Sequence, residues 1–269
     1  MPTVQDYNRF AEDLAKLLLL RTAPIALKML EKESDVPAQA LRPKRDLGEH
    51  LTLCQAFSLV RRQGKTVAML KEDHWCVWPV IALGLGECNE QCVEEVHDKL
   101  FIKDPDVGRE VFLKLFPRLE YGKYAGLLLA PLQTASFIPD VVLVYANPFQ
   151  VRSLLWVPRY HTGTIDDCAF EVEFSCVFAT VPVLQTGKFR ATFPDPGEYE
   201  RAFSDEEEMI LSFPGSKTEE IVAGLKYFEE IKFGYRNLAK VMKYDFPRPQ
   251  FYDDLFKMWG LDRGEIWKR

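Results

Sequence analysis

Apolar residues at Tyr7, Phe10, Leu14 and Leu17, separated by Asp and Lys, recur at helical spacing and predict an amphipathic helix over 3–20. The pattern then shortens to a strand-sized run, Pro24-Ile25-Ala26-Leu27-Lys28-Met29-Leu30, opened by its proline. Residues 31–49, charged and carrying Pro37 and Pro43, read as a surface connection. Helical spacing returns through Leu51, Cys54, Phe57, Leu59 and Val60 and stops at Gly64, with a strand over 66–70 after it. A further helix is expected from an Asp73 cap through Trp75, Cys76, Trp78, Val80 and Ile81, until Gly84 and Gly86 break it.

Residues 87–116 are charged and helical, interrupted at Asp104-Pro105, and suit a cap or lid. Strands are expected at Tyr124–Pro131 and Val141–Ala146, the second running through Asn147-Pro148 into a helix that reaches Val157. A polar turn at the carboxyl end of a buried strand is where open α/β sheets commonly bind ligands. Residues 166–180 are two-sided: Phe170, Val172, Phe174, Cys176 and Phe178 alternate as in a strand, while Cys168, Ala169, Val172 and Cys176 share a helix face, which is the preferred reading. Strands over 188–193 and 208–213 follow, then a capping box of Ser216 with Glu219 that starts a helix to about residue 232. The expected architecture is α+β (or α/β): a single mixed-sheet domain flanked by helices over 1–233. A helical extension over 234–269 carries Tyr244, Phe246, Phe251, Tyr252, Phe256, Trp259 and Trp267, and would pack on the body or on a second subunit as a homodimer.

Composition narrows the class. With 47% hydrophobic and 28% charged residues over 269 positions, the chain is an ordinary globular protein, large enough to bury a core without disulfides. A net charge of −6 argues against a nucleic-acid partner. No run approaches the roughly 18 consecutive apolar residues of a membrane span. Residues 1–6 lack the basic start of an export signal, so a cytoplasmic protein without a membrane partner is expected. In a reducing compartment its six cysteines are expected to be thiols, metal ligands or redox groups. No G-x-S-x-G elbow, P-loop or H-E-x-x-H occurs, and Gly84 and Gly86 do not form a dinucleotide fingerprint. The acidic run 205–208 reads as a solvated turn.

Several segments in succession resemble the family called domain of unknown function 169. They are Leu20-Arg21-Thr22-Ala23-Pro24-Ile25-Ala26-Leu27-Lys28, Cys54 on a helix, Cys76 with Leu83-Gly84-Leu85, and Pro139-Asp140-Val141-Val142-Leu143-Val144 with Asn147-Pro148. Cys176 with Pro182 and Thr186-Gly187-Lys188, then Asp205-Glu206 to Met209 with Phe213-Pro214, complete the order over about 18–230. The resemblance implies one domain with cysteines gathered from separated segments, and no assigned activity. The sequence departs from the pattern at Val77-Trp78-Pro79, where glycine and small residues are common. It departs again at Asp195-Pro196-Gly197-Glu198, where some members carry another cysteine.

Four cysteines run as C-x21-C-x11-C-x3-C from Cys54 through Cys76 and Cys88 to Cys92, with Cys168 and Cys176 further on. This is neither a ferredoxin run nor the paired knuckles of a zinc ribbon. Thiolates suit soft metals and iron–sulfur clusters, so the leading expectation is a [4Fe–4S] cluster, on Cys54, Cys76 and Cys176, which carry the family resemblance, with one of Cys88 or Cys92 as the fourth ligand. It would serve redox or lyase-type chemistry on a small molecule, with a redox partner protein in the first case. The alternatives are a metal-free small-molecule-binding or interaction protein whose cysteines are buried core thiols, a structural zinc site, and a reactive or disulfide-forming pair. His74, two residues before Cys76, is the candidate proton donor or ligand, with a capping position as the plainer role. Tyr145 and Asn147 are the candidate ligand pocket, with Asn147 as a helix cap the plainer role. His50, His97 and His161 have no visible partners.

Overall fold

The computed structural model describes residues 2–96, 100–163, 170–238, 242 and 248–261. It forms two compact units, Met1–Asn237 and Leu238–Arg269. In the first, six strands are β1 (Ile25–Leu30), β2 (Val67–Leu70), β3 (Gly126–Pro131), β4 (Val141–Ala146), β5 (Arg190–Thr192) and β6 (Met209–Pro214). They lie in the order β2-β3-β1-β4-β6-β5 with every neighbouring pair antiparallel. The fold is therefore α+β, and the rule that places ligands at the carboxyl ends of parallel strands has no purchase on the Asn147 turn.

Both faces of the sheet are covered, which is why its central strands read as unbroken apolar runs. Successive side chains point to opposite faces. Val141, Leu143 and Tyr145 accordingly join one core cluster, while Val142, Val144 and Ala146 join the other. The helices of this unit are α1 (Val4–Leu18), α2 (Leu53–Gln63), α3 (Val77–Ala82), α4 (Glu90–Glu95), α5 (Pro105–Lys114), α6 (Pro148–Thr162), α7 (Ser175–Phe178), α8 (Val181–Thr186), α9 (Pro196–Ala202) and α10 (Thr218–Glu230). Leu14 of α1, Leu154 of α6 and Ile221 of α10 pack with Val142, Val144 and Phe213 on one face. On the other, Phe57 and Val60 of α2 pack with Leu27, Leu129 and Leu143, together with the short helices that build the site.

Local chemistry explains most boundaries. Thr3, Thr52 and Asn147 each accept from the backbone three residues on, and each forms a capping box. Gly64 ends α2 in the left-handed conformation. The box expected from Ser216 and Glu219 does not form: Ser216 lies in a 3-10 turn over Gly215–Lys217, and α10 begins after it.

Asp73 does not cap a helix either. Fully buried at the end of the 3-10 turn Lys71–Asp73, its carboxylate accepts from Arg42 Nε at 2.6 Å and from the backbone of Lys44 and Leu70 at 2.9 Å each. With that carboxylate spent on a buried cation, the helix starts at Val77, which places Pro79 in the first turn where its missing N–H costs nothing. Cys76 thus stands ahead of the helix and not on its face.

The long helix preferred for 166–180 is also corrected. Residues 164–169, with Cys168, lie outside the described residues, and the helix is confined to Ser175–Phe178. The Asp195 carboxylate takes the Ser175 N–H at 3.0 Å and sets that start.

Gly84 has φ +71°, and a β-carbon there would sit 2.4 Å from the Glu120 carbonyl oxygen. Gly84→Ala is expected to cost about 2 kcal/mol, from the left-handed backbone and the clash together. A thermal melt should show the midpoint falling by about 5 °C; an unchanged midpoint would contradict this.

In the second unit, the helix α11 (Gln250–Met258) buries none of its residues. Tyr244, Phe246 and Trp267 lie outside the described residues. Among the described residues no helix is long and apolar enough to cross a membrane.

Candidate functional site

A cavity of about 700 Å³ opens on the sheet face covered by α2. Its wall is assembled from the first turn of α2, residues 75–78, Phe101, residues 172–177 and the start of α9. Three of the cysteines singled out above meet here: Cys54, Cys76 and Cys176 all line it. The Thr52 cap directs Cys54, in the first turn of α2, toward this space. The short α7 carries Cys176, and Cys76 enters on the extended residue before α3.

Aromatic rings form much of the remaining wall. Trp78 and Phe174 pack with centroids 4.9 Å apart and lean on Phe116 and Phe112. At the mouth, Trp75 is 63% exposed and Phe101 is 96% exposed in a left-handed conformation. The Arg201 guanidinium stands 5.4 Å over the Trp75 ring.

The thiols carry their protons at neutral pH where their titration is displaced. A hydrogen bond to Cys176, followed by burial, holds the Cys54 thiol well above its ordinary range. Burial, reinforced by Cys176, pushes Cys76 up to about 11. These are not the low-pKa thiolates of a nucleophilic cysteine. Among the described residues, no three His, Cys, Asp or Glu side chains are already drawn together as a metal would hold them.

Behind the cavity wall runs a buried polar network that the spacing of residues along the chain does not reveal. Asp195 caps α9: Oδ1 accepts the Glu198 N–H at 2.7 Å, and Oδ2 accepts the Ser175 N–H. Ser175 Oγ lies 2.9 Å from Asp195 Oδ2 and 2.5 Å from Glu198 Oε2. One hydroxyl hydrogen cannot serve two carboxylates, so one carboxyl donates to Ser175 in its turn. Glu198 fits that role: burial pushes it up to about 7, against the lowering effect of Ser175 and Tyr145. Tyr145 donates its hydroxyl to Glu198 Oε1, and the Arg61 guanidinium covers the Tyr145 ring at 3.9 Å. Arg61 in turn holds Glu208 at 2.7 and 3.0 Å.

The other expected residues lie apart from the cavity. Cys88 sits 3.8 Å from Arg118 Nη1, and Cys92 is exposed on α4 with its N–H held by Asn89; neither lines the cavity, so the four-cysteine set is not gathered. No residue of α4 is fully buried; Val93 leans on the core while Cys92 faces solvent. His74 is 8% exposed, and neither ring nitrogen has a partner among the described residues. Burial lowers its pKa to about 4, so it is a neutral interior imidazole. Asn147 is the cap of α6, its Oδ1 accepting from Phe149 and Gln150 at 3.0 and 2.9 Å. The crevice beside it offers about 10 Å³, one water at most. Tyr145 is a member of the buried network behind the thiols.

The sequence model of a family described as Uncharacterised ArCR, DUF169, matches residues 13–224. An uncharacterized protein of Methanocaldococcus jannaschii, MJ0308, is 23% identical over 238 residues, covering 85% of this chain and 97% of that protein. No solved structure matches the chain. With most of its length inside the family match, the chain belongs to the DUF169 family.

Proposed function

We propose that the cavity houses a soft-metal centre, an iron–sulfur cluster, which works in redox or lyase-type chemistry on a small molecule. The observation that carries this reading is the meeting of Cys54, Cys76 and Cys176, from three separated segments, in one cavity. Cys54 and Cys176 are buried with the α2 core and Cys76 is half-buried, yet all three also reach the same cavity, as sulfur ligands for a soft metal must. The raised pKa values of Cys54, from its hydrogen bond to Cys176 and from burial, and of Cys76, from burial first and then Cys176, have the same sense: a thiolate there without a cation is costly, and a metal ion would supply the missing charge. With Cys54 and Cys76 holding their protons in the metal-free chain, metal binding would release them and draw the side chains in. Cys54, Cys76 and Cys176 line one cavity without being drawn together as a metal would hold them, so the centre would have to gather them on binding. The cavity does not supply the fourth expected from Cys88 or Cys92.

When bound, such a centre supplies electron transfer or Lewis acidity. The chain's own part is to exclude water with Trp78 and Phe174 and to keep a proton on Glu198 behind the wall. A redox partner protein, a cytoplasmic setting and a homodimer belong to the same reading. Anaerobic reconstitution with iron and sulfide tests it. The account expects a brown protein with broad absorbance near 400 nm, as thiolate-ligated clusters give, and near-equal iron and sulfide. A colourless, iron-free product would leave a metal-free binding cavity, and stoichiometric zinc a structural site; either outcome rejects the cluster.

A further inference from the structure

We infer that the cavity binds a small organic amine, a protonated nitrogen on an apolar body, with the Glu173 carboxylate as its anionic partner and the aromatic wall around its carbons. The inference concerns the metal-free chain and does not need the cluster. Glu173 lines the cavity from the segment that leads into α7, between the exposed Val172 and the buried Phe174. Its backbone N–H is held by Glu171 Oε1 at 3.1 Å, while among the described residues its carboxylate has neither a salt bridge nor a hydrogen bond. Half-buried, it is a carboxylate among carboxylates: burial first, then Glu171 and Asp195, raise its pKa, as for an anion that lacks a cation.

The rest of the lining has the same sense. Three carboxylates, Glu173, Asp195 and Glu200, line the cavity against one cation, Arg201. Arg201 is already paired with Glu200 at 3.0 Å and stands 5.4 Å over the Trp75 ring, so it neutralises one carboxylate and leaves two. Asp195 accepts from the Glu198 N–H, the Ser175 N–H and the Ser175 hydroxyl, all of them uncharged donors. Glu173 is left as the lining carboxylate without a donor. Around it stand Trp75, Trp78, Phe101 and Phe174. The faces of aromatic rings carry partial negative charge and attract an ammonium, whereas an anionic ligand meets both those faces and the excess acid. A space of about 700 Å³ is the size of a small-molecule pocket and far more than a lone cation fills, so the amine brings apolar carbons to the rings. Charge selects a cation, and volume selects an organic one.

Calorimetric titration of the full-length, metal-free chain tests this with three probes that share a phenyl body: phenethylamine, phenethyl alcohol and hydrocinnamate. It is run at about pH 8, below the range where an aliphatic ammonium titrates. The amine should bind about tenfold tighter than the alcohol or better, with hydrocinnamate weakest. Glu173→Gln should weaken the amine about tenfold, the scale of a hydrogen bond to a charged group. It should leave the alcohol unchanged, a difference that loss of folding cannot produce. Arg201→Gln, which removes the one lining cation, should bind the amine at least as tightly as the unmodified chain. Near-ultraviolet circular dichroism checks that both variants fold. No binding of the amine at millimolar concentration overturns the inference, as does an alcohol or hydrocinnamate affinity that equals the amine's. Unchanged amine affinity in Glu173→Gln, equal losses of amine and alcohol there, or weaker amine binding in Arg201→Gln overturns it too. An amine that fails to bind leaves the cluster reading standing, and a chain that takes up no iron leaves this inference standing.

Discussion

Arg61→Met is expected to destabilise the Met1–Asn237 unit by about 4 kcal/mol, among the largest losses a single side chain here can cause. The Arg61 and Glu208 side chains are 1% and 5% exposed and joined through two hydrogen bonds at 2.7 and 3.0 Å. Removing the cation leaves the buried Glu208 carboxylate with only Arg62, at 3.7 Å, and desolvation of a poorly paired charge costs far more than the pair contributes. The change also uncovers the Tyr145 ring, which Arg61 covers at 3.9 Å, and with it the back of the Glu198 network. Urea unfolding should show a lower midpoint at unchanged slope. The double variant R61M/E208L should recover most of the loss, because a buried ion pair replaced by apolar side chains is often neutral. A single-variant loss below about 1 kcal/mol, the scale of an exposed pair, would contradict this account.

The second large effect is a pH dependence. Glu198 is raised from 4.5 to about 7 by burial. The folded state therefore binds a proton that the unfolded state has released, and stability falls as pH rises through this window. The contribution is complete below about 4.5 and lost above about 7, a difference of about 3 kcal/mol at 1.36 kcal/mol per unit. His74 acts in the opposite sense: lowered to about 4 by burial, it costs stability as pH falls below its ordinary 6.5. The two windows overlap between about pH 4.5 and 6.5 and there offset one another, so the metal-free chain should show little net change over that range. Glu198→Gln, which keeps the shape of the protonated acid and its hydrogen bond to Ser175, removes the Glu198 contribution and should leave a stability that rises with pH over the same range. Denaturant midpoints measured from about pH 5 to 8 on both proteins decide it: a variant whose profile matches that of the unmodified chain would place the responsible group elsewhere.

How much of this was legible beforehand depends on whether the governing interaction is local. The β4 run into Asn147-Pro148 was readable because strand, cap and first-turn proline are decided by adjacent residues. Asp73 was misread because a buried partner 31 residues away, Arg42, outweighs a local cap. Cys54, Cys76 and Cys176 were singled out by family resemblance, but spacing carried no information that α4 turns Cys92 outward. The Ser175, Asp195 and Glu198 network went unseen because its members become partners only on folding. One local signal was present: Asp195-Pro196 with Glu198 is a cap, a first-turn proline and an acid in the first turn, the signature of the helix α9.

The central claim is that the three cavity thiols hold an iron–sulfur centre. Mössbauer spectroscopy of the chain reconstituted with ⁵⁷Fe tests it most directly, because every iron atom reports its own ligands. The account predicts the signature of tetrahedral iron in sulfur coordination, lost in the combined C54S/C76S/C176S variant. Iron showing only the signature of oxygen and nitrogen ligands, or the same spectrum in that variant, would contradict it.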